Sequence, residues 1–212
     1  MRKDELGGVK DETREGRVIP HPSSLIPRWA DEVFHSVPGL LNLDELAWLI
    51  EQAQGRRVIV EVGTWYGRSA KALSLGGGTV YTVDDWAGRS TERETSPADN
   101  PPGMVREEFH RRLQPDIDAG RIVPVWAESS AAATKLAHLR GKVDLLFIDG
   151  LHTYEQVTAD LAAWLPLVRA GGLVCGHDWD RPGVQRAVLE ALPHATHHCH
   201  GLWSATKKRG RR

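Results

Sequence analysis

A chain of 212 residues, 41% of them hydrophobic, is long enough for one domain with a sizeable core. Its formal charge of −1 argues against a global field suited to nucleic acid or an anionic membrane. Two cysteines are too few for a disulfide framework, no secretory leader opens the sequence, and no apolar run nears the ~18 residues of a membrane span, so the expectation is a cytoplasmic chain.

Residues 1–24 are charged, broken by Gly and Pro and without period, which predicts a mobile N-terminal arm. A single domain over 25–206 and a basic tail over 207–212 complete the layout. Trp29 to His35 fits a short helix. Asn42 and Glu45 form a capping box, followed by Leu43, Leu46, Ala47, Ile50 and Ala53 at helical spacing, and Gly55 ends that helix. Strands and helices then alternate. Val58–Val62 is a β-branched strand, Ser69–Leu75 a helix and Thr79–Val83 a second strand. Asp85–Gly103 is a long polar loop with Pro97, Pro101 and Pro102, the expected lid or acceptor-selecting segment. Val105, Phe109 and Leu113 mark a helix, Arg121–Trp126 a third strand, Ser130–Leu139 a helix, and Val143–Ile148 a strand apolar on both faces. Tyr154–Val168 reads as helical, Gly171-Gly172 turns into a strand over Leu173–Gly176, and Pro182 opens a last helix. Two short strand-like runs around Gly201 close the chain. This alternation predicts an α/β fold, a parallel sheet with helices on both faces.

The first strand runs into Glu61-Val62-Gly63-Thr64-Trp65-Tyr66-Gly67-Arg68-Ser69. Glycines at a strand-to-helix turn allow close approach of backbone to a ligand, though a tight turn beneath a helix needs them equally. The G-x-x-x-G spacing fits neither the dinucleotide fingerprint nor the P-loop, and no Lys follows the second Gly. Asp84 closes the second strand about 20 residues beyond Gly63, where an acid can accept both ribose hydroxyl protons. Glu61, the glycines and Asp84, in strand order, point to an adenosine-type ligand.

Here the chain resembles the class I S-adenosylmethionine-dependent methyltransferases, whose first motif is an acid, one residue, Gly, three residues, Gly. The likeness continues into Arg68-Ser69-Ala70, as in catechol-type O-methyltransferases. It implies a Rossmann-like, mostly parallel seven-stranded sheet with an antiparallel last strand. It also implies that Glu61 and the turn from Gly63 to Gly67 face the methionine part of the cofactor. Ser69 would hold its carboxylate and Asp84 its ribose, with Glu128 and Ser129 near the adenine. A cationic sulfonium is well served by a nearby carboxylate and aromatic faces, for which Trp65 and Tyr66 are candidates.

The chemistry gathers at the ends of the fourth and fifth strands. Asp149 and His152 follow the fourth, and Cys175-Gly176-His177-Asp178-Trp179-Asp180 closes the fifth. Adjacent parallel strands would let Asp149 and Asp178 share a hard divalent ion such as Mg²⁺ or Mn²⁺, unless both acids merely cap helices and turns. The run F-I-D-G-x-H-x-Y, then V-x-x-D-L, A-G-G-L-V and H-D, resembles a bacterial branch. That branch holds the macrocin- and mycinose-type sugar O-methyltransferases and the cephalosporin-hydroxylase-like proteins. The resemblance spans roughly Val58 to Asp180 and implies acids for metal at Asp149 and Asp178 and a proton acceptor at His152. A third acid or Asn is usual beside Asp178. Here His177 and Trp179 flank it, so His177 or Asp180 would complete the ligand set.

The histidines from His194 to His200 have no zinc-type spacing and read as structural or substrate-facing. The leading expectation is an S-adenosylmethionine-dependent O-methyltransferase acting on a hydroxyl of a sugar or natural-product-type molecule. Its expected partners are that acceptor and a second copy in a homo-oligomer, with no nucleic acid and no membrane. A metal-binding hydroxylase-like member and a non-catalytic S-adenosylmethionine-binding module are the alternatives.

Overall fold

The computed structural model describes residues 28–89 and 98–208. The expected N-terminal arm, the middle of the 85–103 loop and most of the basic tail lie outside the described residues. Two helices open the fold, α1 (Arg28–Ser36) and α2 (Leu43–Ala53). Then come β1 (Val58–Val62), α3 (Arg68–Ser74), β2 (Thr79–Asp84), α4 (Pro102–Asp118), β3 (Ile122–Trp126), α5 (Ser129–Lys135) and β4 (Val143–Ile148). The chain ends with α6 (Tyr154–Trp164), β5 (Val168–Gly176), α7 (Pro182–Ala191), β6 (Thr196–His197) and β7 (Trp203–Thr206).

The sheet has seven strands in the order β3-β2-β1-β4-β5-β7-β6. The first five strands are parallel, and β7 runs antiparallel between β5 and β6. Alternate residues of a strand face opposite sides. Ile59, Leu145 and Phe147 therefore join the core formed with α1 to α4, while Val60, Leu146 and Ile148 join the core under α5 to α7. The strand order reverses between β1 and β4, and that switch point is where open α/β sheets bind ligands at the strands' carboxyl ends. Among the described residues no helix is long and apolar enough to cross a membrane.

Two boundaries differ from the sequence expectation. The helix from Tyr154 stops at Trp164, and a 3-10 turn over Leu165–Leu167 leads into a longer β5. Pro166 is the reason, since it lacks an N–H and clashes with the preceding turn. The helix expected over Ser130–Leu139 likewise breaks into α5 and a separate 3-10 turn over Ala137–Leu139. The Asn42–Glu45 capping box forms as the sequence predicts.

Candidate active site

The turn after β1 is built from below and from beside. Gly63 has φ +89°, and a Cβ there would lie 2.1 Å from the carbonyl oxygen of Asp149, so only glycine lets the ends of β1 and β4 meet. Asp84 Oδ2 accepts the N–H groups of Thr64 and Trp65, both at 2.9 Å, and its Oδ1 accepts that of Trp86 at 2.7 Å. The Trp86 indole N–H in turn donates to the Trp65 carbonyl at 3.0 Å. Trp65 and Trp86 both hold left-handed backbone, φ 48° and 47°, and Asp178 does the same at 60°. Such strain in non-glycine residues gathers at ligand sites, and all three line the clefts described below.

Glu61 is fully buried and accepts hydrogen bonds from the hydroxyls of Thr64 and Thr82 through one oxygen. Burial pushes its carboxyl up to about 7, against the pull of the hydroxyls around it. It lines neither cleft. The expectation that Glu61 faces the cofactor is thereby corrected: it braces the turn from beneath, because its strand parity points it into the core under α3. Gly67 is corrected likewise. A Cβ there would strike Leu113 and Phe109, so it serves packing of the turn against α4.

Two clefts open on the sheet's carboxyl edge. The first runs from Gly63 and Trp65 past Asp84, Asp85 and Trp86 to Ser129 and Asp160, and holds about 960 Å³ counting its open mouth. The second is bounded by Pro38, Leu40 and Leu41 on one side and by Asp149, His152 and Asp178 on the other. Gly63, Trp65 and Asp149 belong to both. Tyr66 and Ser69, expected at the cofactor, line the second cleft. The outer wall of that cleft is the α1–α2 loop, and the described ends of the 85–103 loop flank the first cleft. Arg68 fastens this wall, donating to the carbonyls of Val37 at 2.7 Å, Leu41 at 2.8 Å and Phe34 at 3.2 Å.

At the far end of the first cleft Glu128 caps α5, accepting from the Ser130 hydroxyl and the Ala131 N–H. The Ser129 hydroxyl accepts from the Trp164 indole at 2.9 Å and donates to Asp160. Asp160 is the acid of the V-x-x-D-L stretch, to which sequence reasoning gave no role. Burial pushes its carboxyl upward, opposed by Ser129 and Gln156. Asp85, which also lines this cleft, carried no separate signal beside Asp84.

Around the joint of the clefts the expected catalytic residues come together. His152 Nε2 lies 2.9 Å from Asp178 Oδ2 and 3.9 Å from Asp149 Oδ1. Arg181 Nε donates to the other Asp178 oxygen at 2.8 Å. His177 Nδ1 lies 3.4 Å from Asp178 and 4.0 Å from Asp149, while its Nε2 meets Glu45 Oε1 at 2.9 Å. Glu45 thus does two jobs that lie far apart in sequence: it closes the capping box of α2 and grips the histidine at the end of β5. The same oxygen accepts the Gly201 N–H at 3.2 Å. Burial works against charge here, yet the hydrogen bonds of His152 and His177 hold Asp178 well below the carboxylate range, and those of Asp178 and Glu45 hold His177 up to about 11. Burial raises Asp149.

Asp149, His152 and Asp178 each offer one ligand atom, all within 4.8 Å of one another, and are the group among the described residues that fits a metal ion. Two carboxylates and an imidazole suit Mn²⁺ or Mg²⁺. For His177 the expectation of a ligand is corrected. Its Nε2 is engaged by Glu45, and it stands outside the group of ligand atoms that converge. Asp180 is exposed and stands outside the group. The C-terminal histidines each take a separate partner. His194 meets the Thr206 carbonyl and His198 the Ser204 hydroxyl, both at 2.8 Å, and His197 meets the His200 carbonyl.

A Rossmann-like sheet with a glycine turn beneath a cleft defines a nucleotide-type binding fold. Residues 60–179 match a family model described as a methyltransferase domain, and the chain belongs to that family. Over 138 residues it is 30% identical to the uncharacterized protein y4gI of Sinorhizobium fredii, covering 62% of this chain and only 14% of y4gI. The O-methyltransferase from Bacillus cereus in complex with SAH superposes with a TM-score of 0.59 at 18% identity, over 90% of this chain and 94% of that one. CalS11, a TDP-rhamnose 3′-O-methyltransferase of calicheamicin biosynthesis, gives 0.54 at 22% identity, over 76% and 77%. At these identities the likeness is one of fold.

Proposed function

We propose that this chain moves the methyl group of S-adenosylmethionine to a hydroxyl of a small molecule of sugar or natural-product type. The observation that carries this reading is the meeting of two clefts at Gly63, Trp65 and Asp149, with His152 facing the second. One cleft suits a donor whose sulfonium rests by an acid and an aromatic face, and the other suits the acceptor. The near-zero net charge and the sugar-methylating activity named for CalS11 support a small-molecule partner.

When bound, S-adenosylmethionine supplies an electrophilic methyl carbon. The acceptor oxygen would attack it in line, the C–S bond breaking as the C–O bond forms with sulfur keeping the electron pair, so alignment of the two clefts would contribute much of the rate. The hydroxyl proton passes to His152. Asp178, 2.9 Å from Nε2, orients the ring and stabilises its charged form, and Arg181 holds Asp178 in turn. A second reading is favoured by the convergence of Asp149, His152 and Asp178. There the three would hold a divalent ion, which when bound would lower the pKa of the acceptor hydroxyl, with His152 as a ligand.

Calorimetric titration with S-adenosylhomocysteine, with and without Mn²⁺ or Mg²⁺, followed by methyl transfer over a hydroxyl panel, tests both readings. His152→Ala is expected to lower turnover at least a hundredfold while S-adenosylhomocysteine binding stays within threefold. Unimpaired turnover in that variant would refute the role of His152. Absence of binding would refute the donor reading, and turnover unchanged by a chelator would remove the ion.

A further inference from the structure

Asp160 stands apart from the other acids of the donor cleft. Asp84, Asp85, Glu128 and Asp149 are all partly exposed, whereas Asp160 is 2% exposed and still lines the cleft. Its Oδ1 is occupied, accepting from the Ser129 hydroxyl and from Gln156 Nε2 at 3.0 Å. Among the described residues Oδ2 accepts no hydrogen bond, and it is not sealed into the core. It points toward Gly150, where a Cβ would come within 3.8 Å of it. The side chain is also fixed. Trp164 donates to Ser129, Ser129 to Asp160, and Gln156 to the same oxygen, so the rotamer is held before any ligand arrives. A desolvated carboxylate oxygen with no partner, aimed into a cleft, is an acceptor that needs a donor from the ligand.

The cleft's geometry says which donor. With the sulfur of the cofactor at the joint by Trp65 and Asp149, and its ribose beside the end of β2 at Asp84 and Asp85, the base reaches the end at Ser129 and Asp160. Along its polar edge adenine offers one donor, the 6-amino group, among ring-nitrogen acceptors. We propose that Asp160 reads the base of the donor, with Oδ2 accepting a hydrogen bond from the 6-amino group of adenine. This rests on the S-adenosylmethionine reading and adds to it a specificity-determining side chain on α6. A purine with hydrogen in place of the 6-amino group would leave the buried carboxylate oxygen without a donor.

The test compares S-adenosylhomocysteine with its 6-deamino analogue, whose purine carries hydrogen in place of the amino group and is otherwise the same, by calorimetry on the full chain. The unmodified chain should bind the adenosyl compound at least tenfold tighter. In Asp160→Asn, Ser129 and Gln156 keep the amide oxygen in the Oδ1 position, so the NH₂ group takes the place of Oδ2 and the preference should vanish or reverse. A merely structural role would weaken both ligands together and leave their ratio unchanged, and that result overturns the proposal. Equal affinity of the unmodified chain for the two ligands also overturns it, and needs no variant to fold. If neither ligand binds the unmodified chain, the donor reading itself fails, an outcome distinct from a lost preference.

Discussion

Glu61 gives the sharpest physical test of the turn that carries the site. Its carboxyl titrates near 7 in the folded chain against 4.5 for an exposed glutamate, because burial disfavours the charged form. The sign follows from linkage. A raised folded-state pKa means the native state holds the proton more tightly, so this stabilisation is fully present below pH 4.5 and is lost as pH rises through 7. At ~1.4 kcal/mol per unit, the loss is roughly 3 kcal/mol. Glu61→Gln keeps an oxygen to accept from Thr64 and Thr82 and removes the ionisation. The amide also buries an NH₂ group, but that offset does not vary with pH. Urea unfolding of both proteins at steps from about pH 4 to about pH 8 therefore isolates the carboxyl. The difference in unfolding free energy should move in the variant's favour by roughly 3 kcal/mol across the window. Parallel curves for the two proteins would refute a buried, proton-holding Glu61.

Two further substitutions probe how the clefts are held. Gly63→Ala sets a Cβ 2.1 Å from the Asp149 carbonyl oxygen in a left-handed backbone. It is expected to destabilise by at least ~3 kcal/mol in chemical denaturation and to weaken S-adenosylhomocysteine binding. Arg68→Ala removes three hydrogen bonds to the carbonyls of Phe34, Val37 and Leu41 and a contact over the Phe34 ring. A loss of ~2–3 kcal/mol and faster amide exchange over residues 37–41 are expected, with Arg68→Lys recovering only part because an ammonium lacks the planar fork. Unchanged exchange in the alanine variant would show that the acceptor wall stands without the clamp.

Much of the architecture was legible because it rests on local pattern. β-branched runs, the Asn42–Glu45 capping box and the glycines after β1 are short-range signals, and the parallel sheet follows from their alternation. The nearness of Asp149, His152 and Asp178 was legible too, since neighbouring parallel strands bring their carboxyl ends to one edge. Pro166, by contrast, was passed over inside an apolar helical run, and the helix ended there.

What the sequence by itself determined is therefore which strand ends form the working edge of the sheet. Tertiary structure alone decided what each residue does there. Glu61, Asp84 and Asp149 read alike as acids near strand ends, and Asp160 as one more acid within a helix. Folding makes one a buried brace and one a clamp on three backbone N–H groups, and it leaves one at the joint of two clefts and one aimed into the first of them. Glu45 joins His177 across 132 residues of chain. No local spacing encodes such a pairing. A carboxylate's role is set by its hydrogen-bond partners and by its burial, and both are supplied by segments distant in sequence that only packing brings near.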